Sequence, residues 1–414
     1  MKSRSFLFVL CAGFTAASFG QSLLGLTFPF GIPVQPNSGM SLSMGGAGCA
    51  VAAENNVMLL NPANLGSIDR TVLSALFSFD FTQVSAQSSH TNFYAANPVQ
   101  ISIGVPVGAV GTFGISLEQR DDRTSFFESE TSFTYKNTSA IYGQGLSARG
   151  GMYSWQIGWG RSIRKVAQVG ISYERFYLSA EQTILSELEL ASGTDTSGAS
   201  NSRDSTHIGS SGNGVRAGIV VPVGSLRVGL TGEYFFNSSA SFTRALYSYG
   251  DTASVVNTAS SNSFTLRLPP SASLGLSYDF SPEWLVAADL SLVFWKYAQV
   301  QGMLPQPEIG TAAGFSLGAQ YIPAPNLLTP RYWETIRYRA GVQISQLAAK
   351  DSYEYLVSLG TGFPMGRGTG ILDIALEIGR RQSGQFSGYS EDFVRLAFGF
   401  NGGHKWVQSS KSTY

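Results

Sequence analysis

Charge is scarce in this chain of 414 residues: Asp, Glu, Lys and Arg make up 13% of it, about half the usual share. The 27 basic residues balance the 27 acidic ones, which excludes the basic footprint of a nucleic-acid-binding protein. Beyond the N-terminal leader there is no run of about 18 apolar residues, so a helical membrane span is excluded. Cysteine is nearly absent. Cys11 lies in the leader, and Cys49 alone would remain after cleavage, so no internal disulfide is expected and Cys49 reads as a small buried hydrophobe. Histidines number three. His90 and His207 fall in expected loops and His404 in the tail, none on a predicted strand beside a carboxylate. A metal site or a His-dependent triad therefore has no support, and neither an enzyme nor a cofactor is expected. Gly45-Gly46-Ala47-Gly48 lacks the Gly-Lys-Ser/Thr that a phosphate loop needs.

Glycine, at 47 residues, and aromatics, at 12%, are what the chain has instead. Residues 1–20 read as a secretory signal peptide. Lys2 and Arg4 precede the apolar stretch Phe6 to Ala17, and Ser18-Phe19-Gly20 offers small residues for cleavage before Gln21. The exported remainder is dominated by a period of two. Leu372, Ile374, Leu376 and Ile378 alternate with Asp373, Ala375, Glu377 and Gly379, and the stretches 335–345 and 393–401 behave alike. Successive side chains of a strand point to opposite faces, so each stretch has one apolar and one polar or small face.

A soluble sandwich also alternates, but three features favour a membrane barrel. The strands reach about 10 residues or more, the length of a tilted membrane-spanning strand. The polar face carries Asp80, Glu118, Glu174, Arg216, Arg227, Glu233, Asp279, Asp289, Arg337, Arg339, Asp373, Glu377 and Arg395. Both signs recur there, which suggests hydrated lining without strong ion preference. The apolar face is rich in aromatics near strand ends: Phe77, Phe79, Phe81, Tyr234, Phe236, Tyr278, Phe280, Trp284 and Phe294. A bilayer leaves no water to satisfy an open sheet edge, so the sheet must close.

The expected fold is all-β, a transmembrane antiparallel β-barrel of about fourteen strands. They are placed at 71–83, 97–107, 109–121, 150–163, 167–181, 213–222, 225–238, 263–281, 284–298, 311–321, 335–348, 353–364, 370–381 and 391–401. Short turns (Gly108, 164–166, 223–224, 281–283, 365–369) alternate with long polar connections (84–96, 122–149, 182–212, 239–262), as for a barrel with periplasmic turns and external loops. The link 322–334 is long for a periplasmic turn and leaves room for a miscounted strand. The chain divides into signal peptide 1–20, an N-terminal hatch 21–70, the barrel 71–401 and a periplasmic tail 402–414, with Trp406 an interface anchor.

Residues 21–70 do not read as strands. A lumen of fourteen strands is too wide for side chains to fill, and a compact glycine-rich segment can plug it. Asn37-Ser38-Gly39-Met40-Ser41-Leu42-Ser43-Met44-Gly45-Gly46-Ala47, then Glu54-Asn55-Asn56, then Asn61-Pro62-Ala63 resembles the N-terminal hatch of the long-chain fatty-acid transporter (FadL) family. Glu54-Asn55-Asn56 departs from the family by standing where an Asp pair is common. The resemblance implies fourteen strands and passive uptake of hydrophobic compounds across a Gram-negative outer membrane. It also implies an external apolar site, a hatch that shifts, and exit through a gap in the wall.

The expected hatch or gate residues are Gly45, Gly46, Gly48, Asn61, Pro62 and Ala63. Asn-Pro alone would be a turn starter. Phe126, Phe127, Ile184, Leu185 and Leu188 are candidates for ligand capture, with 182–191 a short amphipathic helix over the mouth. The plain alternative is a strand running past the membrane. Expected partners are outer-membrane lipid and lipopolysaccharide, and a long-chain fatty acid or aromatic hydrocarbon. A second reading is a barrel that shuttles for or anchors a protein-secretion system. A general diffusion porin would not need the hatch.

Overall fold

The computed structural model describes residues 22, 24, 30–34, 38–52, 56–86, 89–135, 138–164, 166–190, 201–249, 256–299, 310–365, 369–384 and 388–404. The signal peptide, Asn37, Glu54, Asn55 and Trp406 lie outside them. A two-residue strand β1 (Ile32–Pro33) and a one-turn helix α1 (Gly39–Leu42) precede the wall. The wall begins with β2 (Thr71–Ala86), β3 (Ser89–Val107), β4 (Gly111–Asp122), β5 (Ser125–Tyr135), β6 (Thr138–Ile163), β7 (Ala167–Leu190) and β8 (Asn201–Val223). It continues with β9 (Leu226–Phe235), β10 (Ser238–Tyr249), β11 (Val256–Leu266), β12 (Ser271–Asp279), β13 (Trp284–Val293) and β14 (Ala312–Tyr321). After α2 (Tyr332–Thr335) come β15 (Arg337–Gln346), β16 (Ser352–Met365), β17 (Gly370–Ser383) and β18 (Tyr389–His404).

Three wall strands are broken. Along β6 lie β4 and then β5. Along β8 lie β9 and then β10, and next to these β12 and β11. Taken end to end, the pieces make a closed antiparallel barrel of 14 strands, as the alternation of the sequence predicts. Closure is the ladder between β18 and β2, from Tyr389↔Ala86 to His404↔Thr71. The long link before β15 hides no strand, because β14 and β15 pair directly across it.

The two faces follow the alternation. Leu73, Phe79, Ile115, Leu117, Ile171, Leu230, Val357 and Leu359 point outward and are about half exposed, the surface a bilayer would cover. Tyr278, Phe280, Trp284 and Tyr321 cluster at the short-turn end. Tyr234 and Phe236 mark the other border, about eight residues further along the strand, or roughly 27 Å of strand at ~3.4 Å per residue. Aromatic residues thus flank the apolar band at both ends.

The long loops did not materialise. Where external loops were expected, strands run on: β6 has 26 residues, β7 has 24 and β8 has 23, against 10 each in β13, β14 and β15. The segment 84–96 is a tight hairpin of β2 and β3. Residues 182–190 are not a helix. They extend β7 and pair with 140–148 of β6, the plain strand alternative. Polar and apolar side chains mix on both faces of this crest, Ser186 beside Ile184 and Glu187 beside Leu185, so the apolar–polar contrast that marks a half-buried strand is missing. Phe294, expected on a strand, follows the end of β13 and leads into a 3-10 turn at Trp295–Tyr297.

Candidate functional site: a lumen chamber beside a split in the wall

The N-terminal segment runs inside the barrel. At the tall end the Glu391 carboxylate accepts from Ser22 Oγ and Leu24 N, and Ser125 Oγ donates to the Ser22 carbonyl. The chain then descends and turns across the lumen. Gly45 N donates to Ser358 Oγ at 2.8 Å, and Gly48 N and Cys49 N both donate to one oxygen of Asp289 at 2.8 Å. Asn61 caps the 3-10 turn Pro62–Ser67 through Ala63 N and donates to the Cys49 carbonyl at 2.9 Å. Arg216 donates to the Leu59 carbonyl at 2.7 Å.

The wall provides seats for this segment. A Cβ on Gly170 would overlap the Pro62 backbone, and one on Gly341 the Met44–Gly45 peptide. Only a residue without a side chain lets the two backbones approach so closely. Cys49 is fully buried, and burial, followed by the nearby Asp289 charge, pushes its thiol up to about 12. It is therefore inert while the segment is seated. Asp289→Ala would strip two buried N–H groups of a charged acceptor, a loss of about 3 kcal/mol or more. We expect maleimide labelling of Cys49 in the folded protein to accelerate at least tenfold. Unchanged labelling would mean that Asp289 does not hold the segment.

Buried charge lines the lumen in linked groups. Arg120 Nη1 meets Glu174 at 2.6 Å and Glu233 at 2.8 Å, and Arg216 meets Glu233 at 2.5 Å. Arg381 meets Glu354 at 2.6 Å, Arg339 meets Asp373 at 2.6 Å, and Arg395 joins Asp80 and Glu377 at 2.5 and 2.9 Å. The balance of signs read from the sequence does not hold in the lumen. Among the described residues, eleven carboxylates (Asp80, Glu118, Asp121, Asp122, Glu174, Glu233, Asp289, Glu354, Asp373, Glu377 and Glu391) are buried against five arginines. Arg120, at 19% side-chain exposure, is a sixth cation.

Between the segment and the wall, toward the tall end, lies a chamber of about 340 Å³. Phe30, Val34, Met152, Phe235, Leu268 and Trp295 form its apolar side. Phe30 stacks on Trp295 with centroids 6.0 Å apart. Below the segment, near the short turns, a separate polar vestibule of about 550 Å³ is lined by Arg227, Asp279, Arg337 and Arg339 among others.

The wall beside the chamber is split. The ladder between β3 and β4 stops at Gln100↔Glu118. Among the described residues, β3 above that point pairs only with β2, and β5 only with β6. Sequence causes the break. Pro98 has no N–H to donate. Bulges interrupt β3 opposite Leu76/Phe77 and β4 between Gln119 and Asp121, and a bulge bends its strand. The free edge of β4 is taken by β1, with Ile32↔Asp122, Pro33↔Asp121 and Val34 N donating to the Arg120 carbonyl at 2.7 Å. Gly31 has φ +106°, and a side chain there would overlap Asp122. Gly31, Pro33 and Val34 also line the chamber, so this strap sits at both the split and the cavity.

The structure groups the expected gate residues and separates the expected capture residues. Gly45, Gly46, Gly48, Asn61, Pro62 and Ala63 all lie in the seated segment, with Gly46 on the chamber. Phe126 and Leu185 are exposed on the outer face of the crest. Ile184 is on the inner face, as is Leu188 two turns of the pleat further on. Phe127 pairs in register with Leu146, which pairs with Ile184. Phe126, Ile184, Leu185 and Leu188 do not line the chamber. Its apolar wall escaped sequence reading because Phe30, Met152, Phe235 and Trp295 come from four distant segments. Pro98 inside an alternating strand was the one visible sign of the split.

The chain matches the family model BamG over residues 3–412. No curated protein sequence matches it. Among solved structures, the toluene transporter TodX of Pseudomonas putida superposes with a TM-score of 0.61 at 16% identity, covering 89% of this chain and 99% of that one. The toluene transporter TbuX of Ralstonia pickettii gives 0.59 at 17% identity, covering 88% and 98%. A FadL homologue of Pseudomonas aeruginosa gives 0.59 at 13% identity, covering 90% and 98%. These likenesses establish a common fold, and the sequence match establishes kinship: the chain belongs to the BamG family, built on the barrel architecture of the FadL and TodX channels.

Proposed function

We propose that this barrel carries small apolar compounds passively across an outer membrane, through the lumen chamber and the split in its wall, with the N-terminal segment as gate. The observation that carries this reading is the position of the strap Gly31–Val34. It borders the apolar chamber and occupies the edge of β4 where the wall ladder ends. A solute in the chamber would reach lipid by displacing two ladder residues rather than by opening a sheet. The segment below it separates the chamber from the polar vestibule, so an ordinary aqueous pore fits poorly. The short turns and both barrel termini then face the periplasm, and the crest faces outward. Lipopolysaccharide and lipid surround the apolar belt.

The test is uptake of labelled toluene and of a labelled long-chain fatty acid by cells whose outer membrane is otherwise impermeable. Ser291 lines the chamber, and Ser291→Trp would fill it. Saturable uptake of either compound through the native chain, at least fivefold lower in the variant, is expected. Absence of uptake from a folded, surface-exposed barrel would overturn the reading.

One observation favours the second reading, a barrel that binds a partner in protein export. The crest rises past the apolar belt and carries Phe126, Ile141, Leu185 and Tyr247 exposed on its outer face. Pull-down of one stoichiometric outer-membrane partner, lost in a Phe126→Ser/Leu185→Ser variant that still takes up toluene, would support it as an additional role.

A further inference from the structure

We infer that the chamber is selective for uncharged apolar compounds and turns away fatty-acid anions. The inference rests on the channel reading above and narrows its substrate class. Its first ground is the charge of the chamber wall. Among the described charged side chains that line it, Asp121, Glu233, Asp289 and Glu354 are acidic and Arg120 alone is basic. That arginine is spoken for. It is held between Glu174 and Glu233, and its guanidinium lies 5.0 Å from the centre of the Phe235 ring. The cations just behind the lining are committed too: Arg216 to Glu233 and Arg381 to Glu354. Among the described residues, an incoming carboxylate would find every lining or adjacent guanidinium already paired, would lose its hydration, and would lie beside the carboxylates of Asp121 and Asp289 at low local dielectric.

The second ground is the apolar half. Phe30, Trp295, Phe235, Met152, Leu268 and Val34 present ring faces and a thioether, which suit an aromatic or short alkyl group. A cavity of about 340 Å³ is at the small end of ligand pockets. The polar rim offers hydroxyls, Ser271, Ser273, Ser291, Ser316 and Ser345. They can serve one neutral hydroxyl on the ligand, but they cannot neutralise a charge.

Matched ligands separate charge from shape. Saturable binding of toluene, 1-octanol and octanoate is measured at pH 8 on vesicles carrying the full chain, against vesicles without it. Toluene and octanol should bind at least tenfold more tightly than octanoate. Asp289, Ser316 and Gln343 stand side by side on neighbouring strands. Gln343→Lys adds a cation to that row, and it should raise octanoate affinity at least fivefold while changing octanol less than twofold. Equal binding of octanol and octanoate by the native chain would overturn the selectivity and leave the channel reading standing. A Gln343→Lys chain that still binds octanol but gains nothing for octanoate would overturn the electrostatic cause. Saturable binding of none of the three would overturn the channel reading itself.

Discussion

Deleting residues 38–63 should turn the barrel from nearly silent to an open pore in a planar bilayer. A closed sheet of fourteen strands has a lumen that its side chains cannot fill, and here the middle of that lumen is taken by the N-terminal segment. Met44, Cys49, Leu59, Ala63 and Leu65 of this segment are buried to within 1%. Its removal joins the chamber to the polar vestibule of about 550 Å³ and exposes a continuous path lined by charge and serine. Steady ionic conductance, at least tenfold above that of the intact chain, is the expected outcome. The ladder from β18 to β2 does not depend on the deleted residues, so a folded pore should still form, and heat-dependent gel mobility checks this. A folded deletion variant that conducts no better than the native chain would show that the segment does not seal the lumen.

Replacing Arg395 by Met should be the most damaging single substitution in the wall. Arg395 on β18 stands directly across from Asp80 on β2 and from Glu377 on β17. It bonds both carboxylates, at 2.5 and 2.9 Å. The ion pair therefore fastens the last strand to the first, where the barrel closes in one register. Removing the cation leaves two buried carboxylates uncompensated, a cost of about 3–5 kcal/mol. Urea unfolding of the protein in lipid vesicles should show that loss, with slower closure on refolding. Arg395→Lys keeps the charge but gives up the forked geometry, and should recover part of the loss. Equal stability of Arg395→Met and the native chain would mean that the seam is held by backbone pairing alone.

Why was so much of the barrel legible, and so little of the chamber? A strand with lipid on one side and a lumen on the other repeats every two residues, so Leu372 to Glu377 declare their faces without any knowledge of their neighbours. The fourteen ranges follow from that one regularity. In the crest, Ser202, Thr206 and Gly209 meet water on both sides, the repeat loses its contrast, and strands read as loops. The seated segment was visible through composition: Gly45, Gly46 and Asn61-Pro62 make little sense as strand. Its contacts were not, because Gly170 and Gly341 of the wall look like any other strand glycines until Pro62 and Met44 lie against them. The chamber is legible only in three dimensions. Phe30 and Trp295 are separated by most of the chain, yet their rings stack. The acidic excess of the lumen is likewise hidden by the overall balance of 27 basic and 27 acidic residues.

The proposed route runs from the chamber, past the strap, to the split in the wall. Photolabelling with an alkylbenzene that carries a diazirine tests it most directly, with the modified residues read by mass spectrometry of the full chain in outer-membrane vesicles. The route predicts labels on Met152, Phe235 and Trp295 in the chamber and on Val34, Pro98 and Val99 at the split, all suppressed by excess toluene. Labels confined to the outer belt, on residues such as Leu117, Ile171 and Leu359, and indifferent to toluene, would contradict it.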